Sequence, residues 1–229
     1  MRKLFSTYFF FNRLSLNAIV MAICLIIASR PINGEVALFG ICTKNYFEVN
    51  YIELTRWLLL FCVPIIANGC FLDRAEKMKV FMCTRLNKVD IYAIVLLAIP
   101  LLNTLIWELV VCIYILVFLD PQLSWIQFLL GLSNLSMWTA LQILLHIISG
   151  FNAVLAPLLL CLIAGIYILG CYIPPIEAFL PSTWGMVYKS NLYCECGYSY
   201  VSMFLINCLA FLILIVMIVK TGRVIKRKA

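Results

Sequence analysis

Two ladders of polar side chains are set into otherwise apolar sequence. Pro100, Thr104, Glu108 and Cys112 recur every four residues, and so do Asn134, Trp138, Gln142 and His146. On an α-helix this spacing puts each set along one side, the second drifting gradually around the axis. A polar group in hydrocarbon is costly, so it faces protein or water and marks either function or interhelical hydrogen bonding. Glu108 is the carboxylate that lies deep inside an apolar run. Its functional reading is substrate contact, proton linkage or gating. The alternative is a structural acid, bonded to a neighbouring helix or reaching water near the outer leaflet. For the second ladder the plain account is hydrogen bonding between helices. Thr104, Glu108, Asn134 and Gln142 are the candidates for lining a pathway.

Other chemistry is missing from the residue patterns. No G-x-x-x-x-G-K-[ST] loop occurs to cradle nucleotide phosphates, and a sole histidine, His146, excludes an H-E-x-x-H zinc motif. There is no G-x-S-x-G elbow for a nucleophilic serine. Neither catalytic nor metal residues are therefore assigned, and an intramembrane enzyme would require Glu108 and His146 to meet.

The third cluster is charged. Residues 73–90, from Asp73 to Asp90, interleave Arg74, Glu76, Lys77, Lys79, Arg85 and Lys88 with Met78, Val80, Phe81, Met82 and Leu86. Such a mixture can form a short amphipathic helix along the membrane surface. It serves either as a docking element for a soluble partner or as a solvated loop touching lipid headgroups.

These clusters need long apolar elements to position them. The chain is 65% hydrophobic and 12% charged, against roughly 45–50% and about 25% in an ordinary soluble domain. The expected fold is all-α: a polytopic membrane protein of six spans forming one domain over residues 1–229. The spans fall near 14–29, 54–72, 91–119, 125–148, 153–173 and 200–219. Thirteen of the seventeen Lys and Arg lie in residues 1–13, 73–90 and 220–229. By the positive-inside rule those segments and both termini are cytoplasmic, in a cell membrane. The same distribution makes the net charge of +7 a matter of topology and not of nucleic-acid binding. Outside would lie 30–53, 120–124 and 174–199.

Met1-Arg2-Lys3 followed by Leu14–Ala28 has the outline of a signal peptide, but no A-x-A-like site follows, so an uncleaved first span is expected. Phe5, Tyr8, Phe9, Phe10 and Phe11 suggest an interfacial segment leading into it. Most of the eleven cysteines lie within spans, where cysteine serves as a small apolar residue. A bridge from Cys42 to Cys194 or Cys196 stays open. Trp57, Trp125 and Trp184 read as interfacial belt residues, with Arg56-Trp57 anchoring the second span. Residues 174–199, broken by Pro174, Pro175 and Pro181 yet apolar, read as re-entrant or interfacial helical pieces on the outer face, anchored by Leu180 and Trp184.

In layout the whole chain resembles ABC-2 type permeases, the membrane subunits of one class of ATP-driven exporters. The likeness in residues is confined to the stretch after the second span: Glu76 with Lys77 and Lys79, then Phe81-Met82, Arg85, Lys88 and Tyr92. The sequence departs from many relatives early in the third span, where Ala93–Ala98 is wholly apolar and lacks their frequent lysine. The resemblance implies an ATPase-coupling element made of Arg74, Glu76, Lys77, Phe81, Arg85 and Lys88. It implies a separate ABC ATPase subunit carrying ATP and Mg, no cofactor in this chain, and a second permease copy, identical or not, completing the pathway. The expected function is export of an amphipathic or hydrophobic substrate, peptide or bacteriocin-like. The rival readings are a non-transport assembly or sensory partner in the membrane and, behind it, the intramembrane enzyme.

Overall fold

Long runs of Leu, Ile, Val and Phe, with Gly and Pro sparse inside them, leave the backbone one economical solution in hydrocarbon, the helix that satisfies its own polar groups. The computed structural model describes residues 23–30, 37–41, 49, 51–86, 89–119, 121–149, 155–173, 180–192 and 198–228, with the side chains of 37, 77–94, 121–124 and 222–228 excepted. Among the described residues six helices form: α1 (residues 23–29), α2 (Tyr51–Leu86), α3 (Val89–Phe118), α4 (Pro121–Ser149), α5 (Leu155–Tyr172) and α6 (Tyr200–Lys228). Two 3-10 turns, Ala37–Phe39 and Val187–Lys189, complete the regular structure. No strand forms among the described residues beyond a single bridge between Ser190 and Tyr198.

Five of these helices are long and apolar enough to cross a membrane: Tyr51–Glu76, Val95–Phe118, Trp125–Ser149, Leu155–Tyr172 and Tyr200–Thr221. The chain is a multi-pass α-helical membrane protein. Of the expected first span only 23–29 falls within the described residues.

The helices are not equivalent. α4 packs against α2, α3, α5 and α6, and 67% of its spanning window is buried, against 17% for α6. Leu205, Leu209, Leu212 and Val216 of α6 are exposed, an apolar face suited to lipid. α4 instead carries buried Gln127, Ser133, Asn134, Thr139, Gln142 and His146. Small and polar residues hold helices together where lipid removes the hydrophobic drive for association.

The expected loop at 73–90 is corrected. α2 continues without a break to Leu86, so 73–86 prolongs the second span and does not form a separate piece lying flat. The reason is local: no Gly or Pro interrupts Asp73–Leu86, and Asp73 precedes Lys77 by four residues, an order that favours helix. Thirty-six residues make about 54 Å of helix, well beyond a hydrocarbon core of roughly 30 Å.

Two further expectations change. Trp57 is 1% exposed, packed on Phe61 and Tyr167 with centroids 4.5 and 6.5 Å away, so it is a core residue and not a belt residue. Trp125, by contrast, is 62% exposed. Arg56, also buried, donates from Nε to the Ile27 carbonyl at 3.0 Å and from a terminal nitrogen to the carbonyls of Ala28 and Arg30. It caps the C-terminal end of α1, where orphan carbonyls and the helix dipole favour a cation.

Of the segment expected on the outer face, the described residues 180–192 pack down as expected but on different anchors. Leu180 and Trp184 are half-buried, whereas Met186 and Val187 are fully enclosed, each such burial contributing about 1.5–3 kcal/mol. Met186 sits against Gly40, whose φ is +113° and where a Cβ would stand 2.6 Å from the Met186 Cβ. Phe39 meets Tyr188 edge-on at 5.8 Å. Around Met186 and Val187 the one piece of helix described is the 3-10 turn. Seven cysteines within the helices are free thiols, while Cys42, Cys194 and Cys196 lie outside the described residues.

Candidate functional site

The polar ladders on α3 and α4 face each other, and α2 closes over them. Glu108 is 3% exposed and Asn134 fully buried. Glu108 lies ten residues from the Phe118 end of α3, or about 15 Å along the axis. That places it near the middle of the apolar stretch Val95–Phe118. Gln127, Gly131 and Asn134 follow one another along a single face of α4. With Glu108, Trp57, Leu60, Phe61, Leu135 and Gly185 they line a small cavity of about 10 Å³, the room needed by roughly one water.

Two glycines make room for the polar side chains that line the cavity. A Cβ at Gly131 would lie 2.6 Å from Glu108 Oε2, and one at Gly185 would lie 3.0 Å from Asn134 Oδ1. Each oxygen therefore occupies the space of a missing side chain. The sequence ladders do not include either glycine, nor Gln127. Only the approach of α3 and the outer turn to α4 reveals them.

Asn134 is oriented by its other atoms. Its Nδ2 donates to the Pro181 carbonyl at 2.9 Å and to Asn207 Oδ1 at 3.0 Å, and Asn207 Nδ2 donates to the Trp184 carbonyl at 3.1 Å. The two amides clamp the outer turn 181–185 onto α4 and α6. Asn134 Oδ1 is left without a hydrogen-bond partner, as are Glu108 Oε2 and Gln127 Oε1. An unmade hydrogen bond on a buried polar atom costs about 1–3 kcal/mol.

The remaining ladder residues lie elsewhere. Thr104 donates its hydroxyl to the Pro100 carbonyl at 2.8 Å and so accepts from Thr139 at 3.0 Å. Asn103 Nδ2 reaches Asn68 Oδ1 at 3.2 Å. Gln142 Nε2 donates to the Ile65 carbonyl at 2.9 Å. These bonds tie α2, α3 and α4 together below the cavity, the interhelical role foreseen for the second ladder. All four pathway candidates are thus packed inside the chain, but of the four only Glu108 and Asn134 line this cavity.

His146 is one of the last residues of α4 and stands 3.8 Å from Glu76 of α2. Fifteen residues of continuous helix, about 22 Å, separate it from Gly131, which touches Glu108. The pair on which an intramembrane enzyme would depend does not meet. Of the coupling candidates, Arg74 is exposed and Glu76 partly so. The side chains of Lys77, Phe81 and Arg85, and Lys88 altogether, lie outside the described residues.

Compared with known proteins, the chain matches no family model, no curated sequence and no solved structure.

Proposed function

We propose that this chain is the permease subunit of an ABC exporter that moves an amphipathic or hydrophobic substrate, peptide-like in character, out of the cell or the membrane. ATP and Mg belong to a separate ATPase subunit, and a second permease copy completes the pathway. The single observation that supports this reading is the continuity of α2 from Tyr51 to Leu86. One helix carries the cap on α1, the contacts to the polar interior, and a charged end beyond the apolar span. A helix transmits displacement along its axis with little loss, so a partner seated on 77–86 would act directly on the packing of α3 and α4. The docking element is then the tip of the span itself.

The test is coexpression with the cognate ATPase, reading complex recovery and permease-stimulated ATP hydrolysis. Phe81→Ala weakens the complex by about 1–3 kcal/mol if its ring is an interface anchor. Arg85→Glu weakens it further by placing a wrong charge against an acidic site. Insertion in the membrane persists in both, because the other basic residues of the segment remain. If the double variant leaves recovery and stimulation unchanged, the charged end is a topological anchor and the transport reading loses its support.

A further inference from the structure

We infer that the cavity between α3, α4 and the outer turn is a binding site for one small monovalent cation, of the size of sodium. Three of its lining residues each carry an unpartnered side-chain oxygen: Glu108 Oε2, Gln127 Oε1 and Asn134 Oδ1. Their residues are 3%, 4% and 0% exposed, all three line the cavity, and none of the three oxygens has a hydrogen-bond partner. The two glycines let these side chains approach α4 and the 181–185 turn, Gly131 against the carboxylate and Gly185 against the Asn134 amide. Asn134 cannot turn its nitrogen inward without giving up its bonds to Pro181 and Asn207.

The occupant follows from counting. With Glu108 ionised, a water donates two hydrogen bonds and leaves one of three acceptors unmet. A cation satisfies all three, and carboxylate and amide oxygens are the ligands that hard cations take. No basic side chain lines the cavity. A single positive charge balances Glu108, whereas a divalent ion would leave an excess charge in hydrocarbon, which is costly. The cavity has room for one atom of this kind and not for a larger organic cation.

The inference stands apart from the exporter reading, and so does its test. The full-length protein, purified in mild detergent, is titrated with radioactive sodium in a scintillation-proximity assay, with choline replacing sodium to hold ionic strength. Saturable binding near one ion per chain is expected. It should be lost in Glu108→Gln, which keeps the shape of the side chain, and weakened in Gln127→Leu, which removes one ligand and leaves the clamp on the outer turn intact. Sodium should also raise the thermal midpoint of the wild type and not that of Glu108→Gln. Absence of saturable binding to the wild type would overturn the proposal and leave a structural water as the occupant. So would undiminished binding in both variants.

Discussion

Trp107 donates its indole N–H to the Leu60 carbonyl at 2.9 Å, and Leu60 is the residue whose carbonyl Pro64 leaves without its helical donor. Proline at 64 has no N–H to offer the residue four back. Trp107, on α3 and fully buried, supplies the missing bond. A break in one span is thereby mended by its neighbour, and α2 and α3 are locked in register.

Trp107→Phe is expected to lower stability by about 1–3 kcal/mol, the cost of a buried carbonyl left unmet. Pro64→Ala restores an N–H to the Leu60 carbonyl, so the double variant should lose less than the sum of the single losses. Equilibrium unfolding in detergent, run as a double-mutant cycle, checks this; strict additivity would show that the two residues are uncoupled.

Asn207→Ala removes one amide of the clamp on the outer turn. Hydrogen exchange should rise across 182–187, and stability should fall by about 1–3 kcal/mol because one N–H of Asn134 and the Trp184 carbonyl are left unpaired. Exchange confined to its wild-type rate would place the turn's hold in Met186 and Val187 alone.

Gly40→Ala sets a side chain on a backbone at φ +113° and drives its Cβ into Met186. A destabilisation of about 1–3 kcal/mol is expected, from backbone strain and crowding together. Trimming Met186 to Ala in the same chain should relieve the crowding and leave the strain. A thermal-shift comparison of the single and double variants separates the two.

The sidedness read from the basic residues is checked by cysteine labelling of intact cells, in a background without reactive thiols. Cysteines placed at Lys44 and Lys189 should react with an impermeant reagent, and one placed at Lys79 should not. Reaction at Lys79 would reverse the topology.

What sequence alone decided here is the class and the spacing of the elements. Apolar runs of about 20 residues permit only helices in hydrocarbon, because backbone groups must pair within the segment. The second to sixth expected spans thus correspond to α2 to α6 within one to three residues at most ends. However, α4 begins at Pro121, inside the 120–124 segment expected between spans, and α2 runs on past 72 and α6 past 219. The polar ladders were visible too, since a four-residue repeat maps directly onto one side of a helix. Tertiary structure decided which rungs meet. Trp57 and Arg56 look like interface residues from their position at the head of a span, yet neighbouring helices enclose both. Gly131 and Gly185 carry no signal in the sequence because their role is the absence of a side chain opposite Glu108 and Asn134. Asn207 sits alone in an apolar run, and its value depends on Asn134, 73 residues earlier. Pairings of this kind depend on how helices rotate and lean against one another. That is set by the summed packing of many side chains, which no local pattern contains.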